Sequence, residues 1–150
     1  MEIEESVARA AMMHKACLKH ASKIKEILAV KLVDDDYEWR EAIELVDGSD
    51  DDSFELHGFF GRFVFRYHFG RATMGNSFGY VGRYSIRRIE LDGSEVEFAA
   101  LPFDATGNLA GADGRFPNLD ELQRAGYERA KRALVGRLCQ SWLAALPEFP

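Results

Sequence analysis

The stretch GRFVFRYHF, residues 61–69, places aromatic side chains at every second position from Phe63 onwards. Such alternation is typical of a β-strand that buries one face and exposes the other. The positions between the aromatic residues carry three basic side chains: Arg62, Arg66 and His68. The stretch therefore predicts a central strand with an aromatic core face and a basic face on the opposite side.

Strand-like segments surround this stretch and are separated by turn sequences. The pair Asp92-Gly93 lies between two apolar runs, which is a strong signal for a two-residue hairpin. Residues 47–53 and 70–77 are rich in turn-forming residues and predict two further turns. The four predicted strands are residues 37–46, 54–69, 78–91 and 94–103, although the segment 38–46 also fits a helix.

Helical patterns flank the strands at both ends of the chain. Over residues 3–32, apolar residues recur every three or four positions without a Pro or Gly, which predicts a helix about 45 Å long. A second helix is predicted to begin at Asn118, an N-cap with Glu121 in a capping box, and to end before Pro147. Strands grouped between helices predict a single α+β domain over residues 1–150. It has a long N-terminal helix, a four-stranded antiparallel meander and a C-terminal helix, with both helices packed on one sheet face.

The turns also predict which residues face one another across the sheet. We expect three opposite pairs: Tyr37 and Phe63, Tyr67 and Tyr80, and Tyr84 and Leu101. The core face then carries Tyr37, Trp39, Ile43, Leu45, Phe59, Phe63, Phe65, Tyr67, Phe69, Phe78, Tyr80, Tyr84, Ile86, Leu101 and Phe103. The opposite face, called the arginine face below, carries Arg62, Arg66, His68, Arg83 and Arg87, with Val64, Val81, Ile89, Val96 and Phe98 among them. His57 and His68 are eleven positions apart in one predicted strand. Because this offset is odd, His57 is predicted on the face opposite to that of His68.

The net charge of −6 hides a strong asymmetry. Residues 34–55, called the acidic segment below, contain eleven acidic side chains and one basic side chain, Arg40, for a net charge of −10. The rest of the chain therefore carries a net charge of +4. A mildly basic body with one concentrated acidic segment indicates an electrostatic interaction, either within the fold or with a partner.

The acidic segment has two interpretations. In the first, its aspartates belong to solvated turns and only keep the surface polar. In the second, its carboxylates imitate the phosphates of a nucleic-acid backbone and bind the basic groove of a protein partner. The candidate partner-binding residues are Asp34, Asp35, Asp36, Glu38, Asp50, Asp51 and Asp52.

The arginine face also has two interpretations. Its charges either make an exposed sheet face soluble, with Glu38, Glu44, Glu95 and Glu97 as partial counter-charges, or they recognise an anion. The candidate anion-binding residues are Arg62, Arg66, His68, Arg83 and Arg87. Nucleic acid is disfavoured as a ligand, because most aromatic side chains are predicted on the other face and the protein is acidic.

No sequence motif identifies a catalytic chemistry. The four histidines lack zinc-binding spacing such as HExxH, and the chain contains no GxSxG motif, so we expect no metal and no cofactor. Cys17 and Cys139 fit buried thiols, with a disulfide between the helices as the alternative. No apolar run reaches the ~20 residues that cross a bilayer, and the N-terminus does not resemble a secretory signal. We therefore expect a cytoplasmic protein without membrane contact.

Together these patterns favour a non-catalytic protein-binding module over an enzyme. We expect an inhibitor, antagonist or immunity-type protein that occludes its partner sterically and electrostatically. Thirteen arginines against six lysines fit a GC-rich bacterial or phage genome. One alternative is a binder of anionic ligands or nucleic acid that uses the arginine face. Another is an enzyme or small-molecule carrier with an aromatic pocket near Tyr80, Tyr84 or His57. The long N-terminal helix is also compatible with a homodimer.

Overall fold

The computed structural model describes residues 2–32, 43–50, 52–74, 77–109 and 116–150. Helix α1 spans Glu2–Ala29 and helix α2 spans Tyr127–Ala144, after a 3₁₀ turn at Arg124–Gly126. Between the helices lie five strands: β1 (Glu44–Asp50), β2 (Ser53–Gly58), β3 (Gly61–Met74), β4 (Ser77–Ile89) and β5 (Glu95–Asp104). They form one antiparallel sheet in the order β1-β2-β3-β4-β5. The predicted α+β architecture is confirmed, with one strand more than expected.

The extra strand arises because the predicted strand 54–69 folds back on itself. Gly58 pairs with Gly61, so Phe59 and Phe60 form a two-residue turn between β2 and β3. Gly61 adopts a φ of 92°, a left-handed conformation that glycine tolerates best. Alternation alone does not reveal this turn, because two phenylalanines occupy its centre instead of a pair such as Asn-Gly.

The observed register corrects two of the three predicted pairings. Phe63 lies between Leu56 of β2 and Arg88 of β4, so its predicted pairing with Tyr37 is wrong. Tyr67 faces Tyr84 instead of Tyr80, because β3 continues to Met74 and the following turn is tighter than expected. This shift is an even number of residues, so the side chains of β3 and β4 keep their predicted faces. The third pairing, Tyr84 with Leu101, is confirmed.

A β-bulge in β5 changes the faces at its N-terminal end. Ile86 faces Ala99, whereas the next residue of β4, Arg87, faces Glu97, which leaves Phe98 as the extra residue. The ring of Phe98 packs against Phe63 with their centroids 4.6 Å apart. Phe98 therefore lies on the core face, and its predicted place on the arginine face is wrong. Val96 is likewise opposite Arg88, on the face of the helices.

Both helices cover the aromatic face of the sheet. The hydroxyl of Tyr84 donates to the carbonyl oxygen of Ala21 in α1 at 2.8 Å, and Val135 of α2 lies beside Leu56 and Phe63. The hydrophobic residues of the core face that are exposed by 3% or less are Ile43, just before β1, and Phe54, Leu56, Phe63, Phe65, Tyr84, Ile86, Leu101 and Phe103 of the sheet. Seven of these nine were expected from the alternation, and Phe54 and Leu56 are additions. Neither helix is long and apolar enough to cross a membrane, within the part of the chain that the structure describes.

Phe59 is the predicted core residue that the structure places elsewhere. Its side chain is 53% exposed, because it lies in the turn between β2 and β3. Its ring contacts Trp142 of α2 edge-on, with the centroids 5.4 Å apart. Tyr37 and Trp39, also predicted in the core, lie outside the described residues.

Helix α2 begins nine residues after the predicted N-cap. Asn118 accepts the backbone N–H of Asp120 with its side-chain oxygen at 2.8 Å, and its carbonyl accepts from Glu121 and Leu122. These bonds close a single turn only, because Gln123 is extended with φ −93° and ψ 159°. The capping signal at Asn118 is therefore local, and the helix starts at Tyr127.

Gly82 is a position where the packing of the core requires glycine. A Cβ atom there would lie 2.5 Å from Cε2 of Phe103 and 3.0 Å from the ring of Tyr67. Because such overpacking forces side chains out of their rotamers, we expect Gly82→Ala to lower the free energy of unfolding by about 1–3 kcal/mol. Urea unfolding followed by circular dichroism measures this loss.

Gly70 provides the matched control on the neighbouring strand. It faces Val81, and a Cβ atom there would have no neighbour within 4 Å. We expect Gly70→Ala to change the free energy of unfolding by no more than about 0.5 kcal/mol. Equal losses in the two variants would contradict this account of Gly82.

Candidate functional site

The face of the sheet opposite the helices gathers the predicted basic residues. In β3 they occupy alternate positions, and in β4 the register places Arg83 opposite His68 and Arg87 opposite Val64. The residues brought together on this face are Arg62, Arg66, His68, Arg83 and Arg87. These residues therefore share one face of the sheet, as predicted. Their role in anion binding stays a prediction.

His57 also lies on the arginine face, which corrects the predicted separation of His57 and His68. The turn at Phe59 and Phe60 places His57 directly opposite Arg62. Its Nε2 atom is 2.7 Å from Oε2 of Glu55, one pleat away on the same strand. The odd spacing does not place the two histidines on opposite faces, because His57 belongs to β2 and His68 to β3.

Glutamates bind the arginines of this face through paired hydrogen bonds. Arg66 donates from Nε and Nη2 to the two carboxylate oxygens of Glu95, each at 2.9 Å, and reaches across β4 to do so. Arg62 donates to both oxygens of Glu55, at 2.9 Å from Nη2 to Oε1 and 3.2 Å from Nε to Oε2. This two-point geometry is the strongest form of an arginine–carboxylate contact.

Glu97 joins the other two arginines through a serine. Its Oε1 accepts from Nη2 of Arg83 and from the hydroxyl of Ser85, each at 2.6 Å. The same hydroxyl accepts from Nε of Arg87 at 3.1 Å. Arg83, Ser85, Arg87 and Glu97 thus form one connected polar network on β4 and β5.

These contacts lower the pKa values of the three glutamates below their usual 4.5. For Glu55 the main cause is the hydrogen bond from Arg62, followed by that from His57. For Glu95 it is the hydrogen bond from Arg66, whose own pKa is raised in return. For Glu97 the hydroxyl of Ser85 is the largest favourable cause, with Arg83 and Arg87 adding to it. All three carboxylates are therefore charged at neutral pH.

The ion pairs also shield the apolar surface beneath them. Val64 is 4% exposed and Ser85 is 2% exposed, although both lie on the face that no described helix covers. The aliphatic stems of the long charged side chains provide the cover. An external anion would compete with Glu55, Glu95 and Glu97 for Arg62, Arg66 and Arg83.

Among the described residues, three carboxylates bind these arginines, and one of them, Glu55, belongs to the acidic segment. Asp50 ends β1 opposite Ser53, at the tip of the first hairpin, and the exposed Asp52 accepts the N–H of Tyr67 with its backbone carbonyl. The predicted binding residues Asp34, Asp35, Asp36, Glu38 and Asp51 lie outside the described residues.

A contact between a buried histidine and an aspartate, which the sequence does not reveal, joins α1 to the segment before α2. His20 is 1% exposed, and its Nε2 lies 2.8 Å from Oδ1 of Asp120. The pKa of Asp120 is lowered, chiefly by this contact with His20. Gly107, with a φ of 97°, allows the chain to pass close to the imidazole. One hundred positions separate the two partners, so no local pattern predicts the pair.

Lys131 is a second buried polar residue without a local sequence signal. It is 3% exposed, and its ammonium donates to the carbonyl oxygens of Val30 at 2.5 Å and Ile43 at 3.5 Å. Burial lowers the pKa of Lys131. The side chain thereby ties α2 to the end of α1 and to the residue before β1. Its hydrogen-bond partners indicate a structural role.

An apolar crevice between α2 and the sheet has no room for even a water molecule. It is lined by Ile43, Leu56, Phe60, Phe63, Val135, Leu138 and Cys139. Ligand pockets usually enclose about 300–1,000 Å³ and contain several polar groups. Tyr80, Tyr84 and His57 do not line this crevice, so it gives the carrier alternative no support. Cys17 and Cys139 are free, buried thiols.

Comparisons with protein-family models, with curated protein sequences and with solved structures found no match to this chain. Among the described residues, no three His, Cys, Asp or Glu side chains form a group suited to a metal ion. What remains as a guide to function is the geometry and charge of the chain itself.

The lowered pKa of Glu95 predicts a pH-dependent contribution to stability. We expect Glu95→Gln to lower the free energy of unfolding at pH 7 by about 0.5–1 kcal/mol, because the pair with Arg66 is partly exposed. A carboxylate with a lowered folded-state pKa stabilises the fold fully above its usual value of 4.5, and this stabilisation is lost as the pH falls through the folded-state value. The free energies of unfolding of the wild type and the variant, measured by urea titration, should therefore converge below pH 4.5.

Glu121→Gln is the control, because Glu121 lies exposed in the turn after Asn118. This variant should match the wild type at each pH. A constant difference between Glu95→Gln and the wild type from pH 7 into strong acid would contradict the role of the Arg66 pair.

Proposed function

We propose that this protein is a small, non-catalytic protein-binding module that uses the acidic segment to occupy a basic surface of its partner. One observation carries the proposal: Glu95 and Glu97, two of the three carboxylates that bind the arginine face, come from β5. Among the described residues of the acidic segment, Glu55 binds an arginine of this face. By sequence the segment has ten further acidic side chains and one basic side chain, Arg40. Such a concentration of charge speeds and orients association with a basic surface.

The position of the first hairpin supports this use of the acidic segment. β1 is the outermost strand on its side of the sheet and ends at Asp50, after which the sequence continues with two more aspartates, Asp51 and Asp52. Carboxylates that follow one another in sequence at the edge of a sheet resemble the spacing of charge along a nucleic-acid backbone. The partner that suits this edge is a protein with a groove of Lys and Arg side chains of the kind that binds phosphates.

The biological setting that we propose is that of an inhibitor, antagonist or immunity-type protein in a bacterial or phage cytoplasm. Occlusion of a basic groove needs no catalytic group, and a compact domain of this size suffices for it. The arginine-rich composition supports the proposed origin. The anion-binding alternative is weaker, because Arg62, Arg66 and Arg83 already bind carboxylates.

Neutralising the hairpin tip tests the proposal. The protein is immobilised and exposed to a bacterial lysate, and the retained proteins are eluted with duplex DNA. We expect the wild type to retain basic nucleic-acid-binding proteins that DNA displaces. Asp50→Asn, Asp51→Asn and Asp52→Asn together should reduce this retention at least about tenfold, because several charge contacts are lost at once.

A matched variant removes the same number of charges elsewhere. Glu121→Gln, Glu128→Gln and Glu148→Gln together leave the acidic segment unchanged, and retention should equal that of the wild type. Equal retention by the two triple variants would reject the hairpin tip as the contact. Retention that duplex DNA does not displace would reject the mimicry of nucleic acid.

A further inference from the structure

The helices carry an excess of positive charge. Beyond the acidic first turn of α1, residues 9–29 contain five basic side chains and one acidic side chain, Glu26. Residues 124–137 likewise contain five basic side chains and one acidic side chain, Glu128. Each range therefore has a net charge of +4, so the two together hold +8 in a chain whose total is −6. The acidic total conceals a basic layer on one side of the sheet.

Three lysines of α1 form a row on the side of the helix that faces away from the sheet. Lys15, Lys19 and Lys23 recur every four residues, which separates neighbours by about 6 Å along the helix. Cys17 and Ala21, which are completely buried in the domain, lie on the other side. The side chain of Lys19 is 75% exposed, Lys15 is exposed and Lys23 is partly exposed. The row therefore faces solvent.

The start of α2 continues this basic surface. The hydroxyl of Tyr127 lies 3.4 Å from Oε2 of Glu26, which follows Lys23 by three residues on α1. Burial and the charge of Glu26 raise the pKa of Tyr127, whereas the charge of Arg124 lowers it. Arg124 is therefore close to the lysine row. Arg124 and Arg129 are both exposed, so the basic surface spans the two helices.

These cations have little counter-charge of their own. Within the part of the chain that the structure describes, Lys15, Lys23 and Arg129 form no ion pair. Lys19 approaches Asp120 at 3.6 Å, a carboxylate that also contacts His20. Like charges four residues apart on a helix repel each other and destabilise it. An anion bound along the row would remove this repulsion.

Duplex nucleic acid is the polyanion that suits this surface best. It carries one negative charge per about 1.7 Å, and lysine and arginine bind its phosphates without reading the bases. Single strands are usually held by stacking on exposed aromatic rings, whereas Tyr127 is buried and Trp142 lies against Phe59. A helix that lies on lipid inserts an apolar side, whereas α1 buries Cys17 and Ala21 in the domain and its exposed first turn is acidic.

We propose that the outward side of α1 and α2 binds the phosphate backbone of duplex nucleic acid without reading its sequence. The five contact residues are Lys15, Lys19, Lys23, Arg124 and Arg129. We expect a dissociation constant of about 1–100 µM at physiological salt, which is the range of non-specific binding. The inference does not rest on the proposed function, because the acidic segment supplies none of these residues.

Fluorescence anisotropy of a labelled DNA duplex measures the affinity and its salt dependence. Contacts from five cations predict that the logarithm of the association constant falls by about 4.5 for each tenfold rise in salt concentration. Lys15→Gln, Lys23→Gln and Arg129→Gln together leave two contacts. The slope should then fall to about 1.8, and the affinity at low salt should fall at least about tenfold. Lys15→Arg, Lys23→Arg and Arg129→Lys together conserve the charge and should bind like the wild type.

A matched variant removes the same charge from the other side of the sheet. Arg62→Gln, Arg83→Gln and Arg87→Gln together alter only the arginine face, and the salt slope should equal that of the wild type. A wild type that does not bind the duplex, an affinity that salt does not change, or equal losses in the two glutamine variants would overturn the proposal. Tighter binding to anionic vesicles or to polyglutamate than to the duplex would overturn it as well.

The same assay separates this surface from the one in the proposed function. Asp50→Asn, Asp51→Asn and Asp52→Asn together should bind the duplex at least as tightly as the wild type, because fewer negative charges repel the DNA. Weaker binding of the duplex by this variant would contradict the assignment of DNA to the helices. Loss of the basic proteins from the lysate experiment leaves the expected DNA affinity unchanged, so the two proposals fail independently.

Discussion

The two-sided alternation of β3 is the constraint on which the other features of the structure depend. Phe63 and Phe65 are completely buried under the helices, whereas Arg62 and Arg66 lie on the opposite side of the same strand. Because successive side chains of a strand point to opposite faces, burying the aromatic residues forces the arginines onto the other face. A slip of one residue would exchange the two sets, so the aromatic core also determines where the positive charge lies.

The bulge at Phe98 determines whether that charge is balanced. With uniform pairing along β4 and β5, Glu97 would face Arg88 on the side of the helices. The extra residue places Glu97 opposite Arg87 instead, and brings Glu95 within reach of Arg66. A single irregularity near the edge of the sheet thus converts a cationic face into a network of ion pairs. Bulges commonly redirect side chains in this way.

Glutamates of the same sheet neutralise the arginines, and this distinguishes the arginine face from the acidic segment and from α1. The arginines bind carboxylates of their own sheet, and their stems protect Val64. The acidic segment has a net charge of −10 by sequence, and residues 2–9 of α1 are exposed. Beyond them, the helices carry the exposed cations Lys15, Lys19 and Arg129. The excess of negative charge and the excess of positive charge thus belong to different parts of the chain. This separation is the physical basis of the two interactions that we propose.

The sequence by itself determined the helices at both ends and the alternation of the strands, because these depend on residues close together in the chain. It located a turn at Asp92-Gly93, although the predicted two-residue turn is wrong: Glu90 pairs with Ser94, so the loop has three residues, 91–93. It also revealed the charge asymmetry and the residues that share the arginine face. The turn at Phe59-Phe60 and the late start of α2 were decided by tertiary packing and by the extended backbone at Gln123. The sequence also suggested Glu95 and Glu97 as counter-charges, but the fold alone decided which side chains pair: Arg66 meets Glu95 across 29 positions, and His20 contacts Asp120 across 100. Such partners are invisible to local patterns, because only the register, the bulge and the docking of α1 bring them together.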